Sequence, residues 1–163
     1  MNRDQQKAFN LVELLVTLTL LGILISLAVP AFGRFQESKR LESTRDLLAS
    51  HIQQTRARAV TLGRSHELCG SSDGEACDGD WGGFWLITTV GPEPIVMHQQ
   101  AAPTRDVCRV GFGNESVRFH PNGTSWMSNG TFSICNPNGP HQQLVLNRQG
   151  RLKLGTSHNS TCC

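Results

Sequence analysis

One carboxylate, Glu13, lies inside a long apolar run near the start of the chain. The run covers residues 11–32, LVELLVTLTLLGILISLAVPAF, and Glu13 is its only charged residue. A charge at the centre of a membrane helix costs ~2.5–3.5 kcal/mol, and somewhat less near an end. The carboxylate therefore either reaches the lipid headgroups or pairs with a cation. No basic residue occurs from position 9 to 33, so such a cation would come from outside this span.

A second group of charged residues is basic and lies near the C-terminus. Arg148, Arg151 and Lys153 follow Pro140 in a segment that has no acidic residue. Side chains alternate along an extended strand, so Arg151 and Lys153 are expected to share one face. Three clustered cations attract phosphate and would give weak, salt-sensitive DNA binding. The alternative is a solvated basic strand that protects the edge of a sheet.

Six cysteines, all downstream of the apolar run, form the third group. An even number on one side of a membrane segment indicates disulfides in an oxidising compartment. We expect the first two to pair with each other, the fourth to pair with one of the two terminal cysteines, and the third to take the remaining one. Sequence alone leaves the pairing open, since six cysteines allow 15 connectivities. The six residues are Cys69, Cys77, Cys108, Cys135, Cys162 and Cys163.

No combination of residues predicts an enzyme, a metal site or a cofactor site. The cysteine spacing is not that of a zinc site. Carboxylates near the first two cysteines could attract calcium, but the 12-residue loop with a closing glutamate is absent, so a solvated acidic loop is expected. The histidines are scattered, and no nucleophile elbow, P-loop or dinucleotide fingerprint occurs. The carboxylates in question are Asp73, Glu75, Asp78 and Asp80.

A membrane helix is the first element needed to position these groups. As a helix, residues 11–32 would span roughly 30 Å, the thickness of a bilayer core. Arg3 and Lys7 precede the span and orient the N-terminus toward the cytoplasm. A secretory signal peptide fits poorly, because the run is too long and no A-x-A site closes it. The net charge of +2 gives no global electrostatic argument for a nucleic-acid partner.

The sequence after the span predicts an α+β fold, with one long N-terminal helix packed on a small antiparallel β-sandwich. Small and apolar residues recur on one helical face, and Gly63 predicts the end of a helix over 9–62. This face comprises Leu41, Leu48, Ile52, Thr55, Ala59 and Leu62. The predicted strands of the head are 66–69, 83–90, 94–99, 116–120, 130–135, 143–147 and 151–154.

The segment KAFNLVELLVTLTLLGILISLAVPAF resembles the N-terminal signature of type IV prepilins and pseudopilins. The resemblance implies that an inner-membrane prepilin peptidase removes the leader, 1–8, by cutting between Ala8 and Phe9, and then methylates the amino group of Phe9. It also implies that this ammonium pairs with Glu13 of a neighbouring subunit during assembly. Ala8 stands where the family nearly always has glycine. Pro30 matches a proline common in the family and is expected to kink or loosen the helix.

The segments SVRFHPNGTS, GTFSIC and LVLNRQGRLKL resemble the head of the GspH/FimT/FimU minor pilins and pseudopilins, whereas 64–115 matches no element that we recognise. The resemblance implies a single-pass inner-membrane protein with a cytoplasmic N-terminus and a periplasmic head, 63–163. Such a subunit would start or cap a type IV pilus or a type II secretion pseudopilus. Its partners would be other major and minor pilins or pseudopilins, the prepilin peptidase, the inner-membrane assembly platform, and membrane lipid before assembly.

Two alternative functions remain open. Some FimT-type members bind DNA during transformation through a C-terminal GRxR element, which here reads Gly150-Arg151-Leu152-Lys153. Lysine keeps the positive charge of that element but loses the bidentate fork of arginine. The other alternative is an uncleaved, membrane-anchored protein whose head binds a periplasmic ligand, which would hold if Ala8 blocked cleavage.

Overall fold

A single long helix begins the described part of the chain. The computed structural model describes residues 10–111, 115–125, 127–137, 139–160 and 162–163. Helix α1 covers Leu11–Leu62. The side chain of Asn10 caps its start, because Asn10 Oδ1 accepts a hydrogen bond from the amide of Val12 at 3.3 Å. The helix ends where Gly63 takes a φ of +60°, a left-handed conformation that glycine adopts at little cost.

The chain divides into two compact units, Met1–Lys39 and Arg40–Cys163. In the first unit, every side chain of α1 from 11 to 36 is exposed. Its few hydroxyl groups are satisfied within the helix: those of Thr17, Thr19 and Ser26 donate to carbonyls three residues earlier at 2.7–2.9 Å. Beyond its first turn, a helix of this kind satisfies its backbone groups internally, and here these hydroxyl groups as well, as a lipid phase requires.

The second unit contains two antiparallel sheets of four strands each. The first sheet has the strand order β3-β2-β1-β5, and the second has the order β4-β6-β7-β8. The strands of the first sheet are β1 (His66–Ser71), β2 (Phe84–Thr89), β3 (Val96–Ala101) and β5 (Ser116–Phe119). Those of the second sheet are β4 (Val107–Gly111), β6 (Gly130–Ile134), β7 (His141–Leu146) and β8 (Leu152–Ser157). The predicted α+β fold with a β-sandwich head is confirmed.

The core of the head combines one face of α1 with the inner faces of both sheets. Burial alternates on β7, where Leu144 and Leu146 are buried and Val145 is exposed, so this strand contributes every second side chain to the core. The helix contributes Leu41, Leu48, Ile52 and Ala59, and the sheets contribute Leu68, Trp85, Ile87, Val117, Phe119, Phe132 and Ile134, among others. Leu62, which was predicted on the buried face, is 52% exposed because it is the last residue of the helix.

Strand β4 was not predicted, and its central residue explains the omission. Arg109 interrupts the apolar pattern of the strand, yet it is only 7% exposed. Its guanidinium lies 6.0 Å from the ring centre of Trp81 and 5.4 Å from that of Phe132, and Nη2 donates to the carbonyl of Ser128 at 2.8 Å. Burial lowers the pKa of Arg109 to about 10. From sequence, an arginine is expected on the exposed face of a strand. Because Arg109 is buried against aromatic rings instead, the strand does not show the usual alternation of apolar and polar residues.

Candidate functional site

Glu13 lies in the first turn of α1 and is exposed, together with the apolar residues that follow it. By length and composition, α1 is able to cross a membrane. Among the described residues, Glu13 forms no ion pair. The predicted cleavage and methylation residues, Ala8 and Phe9, lie outside the described residues. Pro30 lies inside α1, whose helical assignment is continuous through it, so the expected kink stays a prediction.

The basic residues near the C-terminus lie at the turn between β7 and β8. Asn147 closes this turn, because its amide donates to the carbonyl of Arg151 at 3.1 Å and its Oδ1 accepts from the amide of Arg151 at 2.9 Å. Gly150 has a φ of +75° within the turn. Arg148 is in the turn, Arg151 directly precedes β8, and Lys153 is in β8; all three side chains are exposed. The predicted strand start at 151 is corrected to Leu152.

A fourth cation, Arg56 of α1, lies beside the same turn. Its Nε donates to the carbonyl of Gly123 at 2.9 Å. That carbonyl packs so closely on the turn that a Cβ at Gly150 would lie 2.5 Å from it, and 3.3 Å from the Nε of Arg56. The amide of Ser125 donates to the carbonyl of Arg148 at 3.0 Å and ties the same loop to the turn. The sequence does not predict this neighbour, because Arg56 belongs to the charged face of a distant helix.

The surroundings of this turn favour positive potential. No acidic residue occurs from Ser116 to Cys163. The other arginine of that stretch, Arg118, forms an ion pair with Glu67 at 3.2 Å and is largely neutralised. Neither the two arginines of the turn nor Lys153 forms an ion pair with another described residue. We call Arg56, Arg148, Arg151 and Lys153 the basic hairpin cluster; it can attract an anion such as a phosphate group.

Three disulfides close the head. Cys69 is bonded to Cys77, Cys108 to Cys162, and Cys135 to Cys163. This agrees with the expected pairing, in which the choice between the two terminal cysteines was left open. The last two bonds tie the C-terminus to β4 and to the residue that follows β6. The sulfurs of Cys108, Cys135 and Cys163 lie within 4.8 Å of one another. All of them are oxidised, so none is a thiolate available to a metal ion.

The acidic loop uses its carboxylates to hold its own backbone. Asp73 Oδ1 accepts from the amides of Glu75 at 2.8 Å and Ala76 at 3.3 Å, and these hydrogen bonds lower the pKa of Asp73. The carboxylate of Asp78 accepts from the hydroxyl and amide of Ser72 and is likewise lowered in pKa, chiefly by the hydroxyl. The two carboxylates therefore stabilise the turns of their own loop by accepting hydrogen bonds from its backbone.

Comparison with known proteins gives the family. The model of the family described as type II transport protein GspH matches residues 44–150. The crystal structure of the type IV minor pilin FimU from Pseudomonas aeruginosa is similar at a TM-score of 0.62 and 22% identity, over 79% of this chain and 98% of that chain. The minor pseudopilin EpsH of the type 2 secretion system of Vibrio cholerae is similar at a TM-score of 0.53 and 9% identity, over 72% of this chain and 97% of that chain.

The family match covers a different part of the head from the resemblance seen in the sequence. It includes 64–115, which we could not assign from sequence, and it ends at Gly150, so Arg151 and Lys153 lie beyond it. The comparison with curated protein sequences found no match. The structural likenesses establish the fold, and the family match covers more than half of the chain. The chain therefore belongs to the GspH family of minor pilins and pseudopilins, which are structural subunits and not enzymes.

Proposed function

We propose that this chain is processed between Ala8 and Phe9, N-methylated at Phe9, and then helps to start or cap a type IV pilus or a type II secretion pseudopilus. The observation that carries the proposal is Glu13. It is the only charged residue of an exposed apolar stretch that is able to cross a membrane, and it lies in the first helical turn. A carboxylate in that setting is stabilised by a cation once the helix leaves the lipid headgroups and enters a filament core.

Cleavage before Phe9 would supply that cation. An α-amino group titrates near pH 8, so the new N-terminus of each subunit would be mostly charged at neutral pH. In a filament core, this ammonium of one subunit would pair with Glu13 of the next. Pairing neutralises both charges, and a buried pair of this kind fixes the relative position of its two partners.

The proposed orientation in the membrane follows from the basic residues that precede the span. Arg3 and Lys7 precede it, which favours a cytoplasmic N-terminus; the disulfide-containing head would then lie in the oxidising periplasm. Before assembly, the apolar side chains of α1 would contact inner-membrane lipid. Afterwards they would contact other pilins or pseudopilins, which an assembly platform in the inner membrane adds one at a time.

Intact mass and N-terminal sequence of the protein extracted from membranes test this processing. The expected mature chain begins with N-methyl-Phe9. An Ala8→Gly variant should yield the same N-terminus at an equal or higher rate, because glycine is the usual residue at that position in the family. A chain that still begins at Met1 would contradict the proposal and would favour an uncleaved, membrane-anchored binding protein.

Binding of DNA is a second candidate function, favoured by the basic hairpin cluster. Arg148 and Arg151 are exposed at one turn, Lys153 is exposed at the start of the strand that follows, Arg56 lies beside the turn, and the stretch 116–163 contains no acidic residue. Each phosphate contact releases counterions, so binding would weaken steeply as salt increases. Several heads in one filament would be needed for tight binding, because three or four contacts per subunit are few.

Changing Arg148, Arg151 and Lys153 together to glutamine tests the second candidate. We expect the triple variant to lose DNA binding at low salt while still entering filaments. An Arg105→Gln variant is the matched control, since Arg105 is also exposed but lies in a different loop. Equal DNA binding by the triple variant and the control would contradict a role of the cluster in DNA binding. Loss of filaments in the triple variant alone would instead indicate a structural role.

A further inference from the structure

A cavity of about 330 Å³ lies where the end of α1 meets the start of β1, the end of β2 and the start of β3. It is lined by Leu62, Arg64, His66, Thr89 and Met97. Neither the basic hairpin cluster nor Glu13 contributes to it. A cavity of this size accommodates a side chain or a small ligand group.

Apolar side chains line this cavity and continue beside it. Leu62 is 52% exposed and Met97 is 39% exposed, so both present apolar surface at the cavity. Ile95, at 66% exposed, is held in place by its backbone: its amide donates to Thr89 Oγ1 at 2.9 Å, and its carbonyl accepts from the amide of Thr89 at 3.1 Å. The apolar surface is therefore presented by a fixed backbone.

Arg64 defines what else a ligand must carry, whereas His66 forms a buried part of the cavity wall. Arg64 is exposed, and its guanidinium forms no ion pair within the described part of the chain. His66 is 1% exposed, and its Nδ1 lies 2.9 Å from the carbonyl of Arg64. A carbonyl only accepts, so Nδ1 is the donor in this hydrogen bond. Within the described residues, Nε2 has no hydrogen-bond partner.

These groups together match an acidic, aliphatic peptide. The cavity walls beside Leu62 and Met97 fit an aliphatic side chain, and the exposed guanidinium of Arg64 fits a carboxylate. Glu93, the only acidic residue in the loop between β2 and β3, forms no ion pair with Arg64 among the described residues.

We propose that this cavity binds a peptide segment of a neighbouring filament subunit, in which an aliphatic residue is followed by an acidic residue. The proposal rests on the filament function proposed above. It assigns to Leu62, Arg64 and Met97 a role in subunit contact that is separate from the pairing of Glu13 within the membrane.

Fluorescence polarisation of a labelled peptide tests the proposal on the full chain in lipid nanodiscs. The probe is a ten-residue peptide with a central Leu-Glu step, and its controls carry Leu→Ser or Glu→Gln. We expect saturable binding that weakens about fivefold or more with either control peptide. Arg64→Gln and Met97→Ser in the protein should weaken binding to a similar degree, whereas Arg105→Gln, an exposed arginine in another loop, should leave it unchanged.

Three outcomes would overturn the assignment. The first is no binding at millimolar peptide, and the second is equal affinity for the Leu→Ser peptide. The third is saturation by octanoate without competition from the peptide, which would identify a site for a free aliphatic acid. Filament entry of the unchanged protein is measured separately. If the protein enters filaments but does not bind the peptide, only the cavity assignment is wrong; if it never enters filaments, the proposed function itself is wrong.

Discussion

Replacing Gly150 with alanine should destabilise the head by about 3 kcal/mol. Gly150 has a φ of +75°, a conformation that costs an L-residue roughly 1–2 kcal/mol. The added methyl would also lie 2.5 Å from the carbonyl oxygen of Gly123 and 3.1 Å from the ring of Phe119. Since the nearer contact is with backbone, the turn must shift, which adds about 1–3 kcal/mol. The sum is a large part of the ~5–15 kcal/mol that stabilises a typical domain.

Gly155 provides a matched control on the strand that follows the same turn. No atom lies within 4 Å of a Cβ added there, and its φ is not in the left-handed region. Gly155→Ala should therefore be neutral or stabilise the head by up to about 1 kcal/mol. Urea titration of the full chain in detergent micelles, followed by the fluorescence of the buried Trp81 and Trp85, reports on unfolding of the head. A loss below ~1 kcal/mol for Gly150→Ala, or equal losses for both variants, would refute the reasoning.

Three further predictions use the same preparation. Changing Cys108 and Cys162 to serine should lower the free energy of unfolding by about 4 kcal/mol, because their bond closes a separation of 54 residues; an unchanged urea midpoint would contradict this. Burial, followed by the neighbouring histidine, lowers the pKa of His51 below 6.5, so stability should be full above pH 6.5 and fall as pH drops through the lower folded value. A His51→Asn variant should lose that dependence in urea titrations at several pH values. Hydrogen bonds lower the pKa of Asp73, so protection of its loop amides, measured against the intrinsic exchange rate at each pH, should be full above pH 3.8 and be lost as pH falls through the still lower folded value. Equal exchange in Asp73→Ala would disprove this.

The elements with strong local signals were predictable from sequence. The helix and its end follow from the apolar run, the later periodicity and Gly63, which the structure places in the left-handed region directly after Leu62. Seven of the strands were located because apolar residues with turn residues at either end identify them. The strand bounds shifted by a few residues, as at β8, since hydrogen bonding to a partner strand decides where a strand ends.

The features that depend on contacts between distant residues were not predictable. The assignment of β4 and β5 to opposite sheets is decided by pairing across the whole head, and β4 itself was hidden by the buried Arg109. Arg56 joins the basic hairpin cluster only because α1 packs against the loop that contains Gly123. The cavity near Met97 likewise combines residues from a helix end and three strands, which no local pattern brings together.

The measurement that tests the central claim most directly is the amount of this chain in purified filaments, with and without Glu13. Wild-type protein should be present in the filament fraction. Glu13→Gln should be cleaved and inserted normally, yet fall at least about tenfold in that fraction, because breaking a buried ion pair costs ~3–5 kcal/mol. Absence of the wild-type chain from filaments, or equal incorporation of Glu13→Gln, would contradict the account.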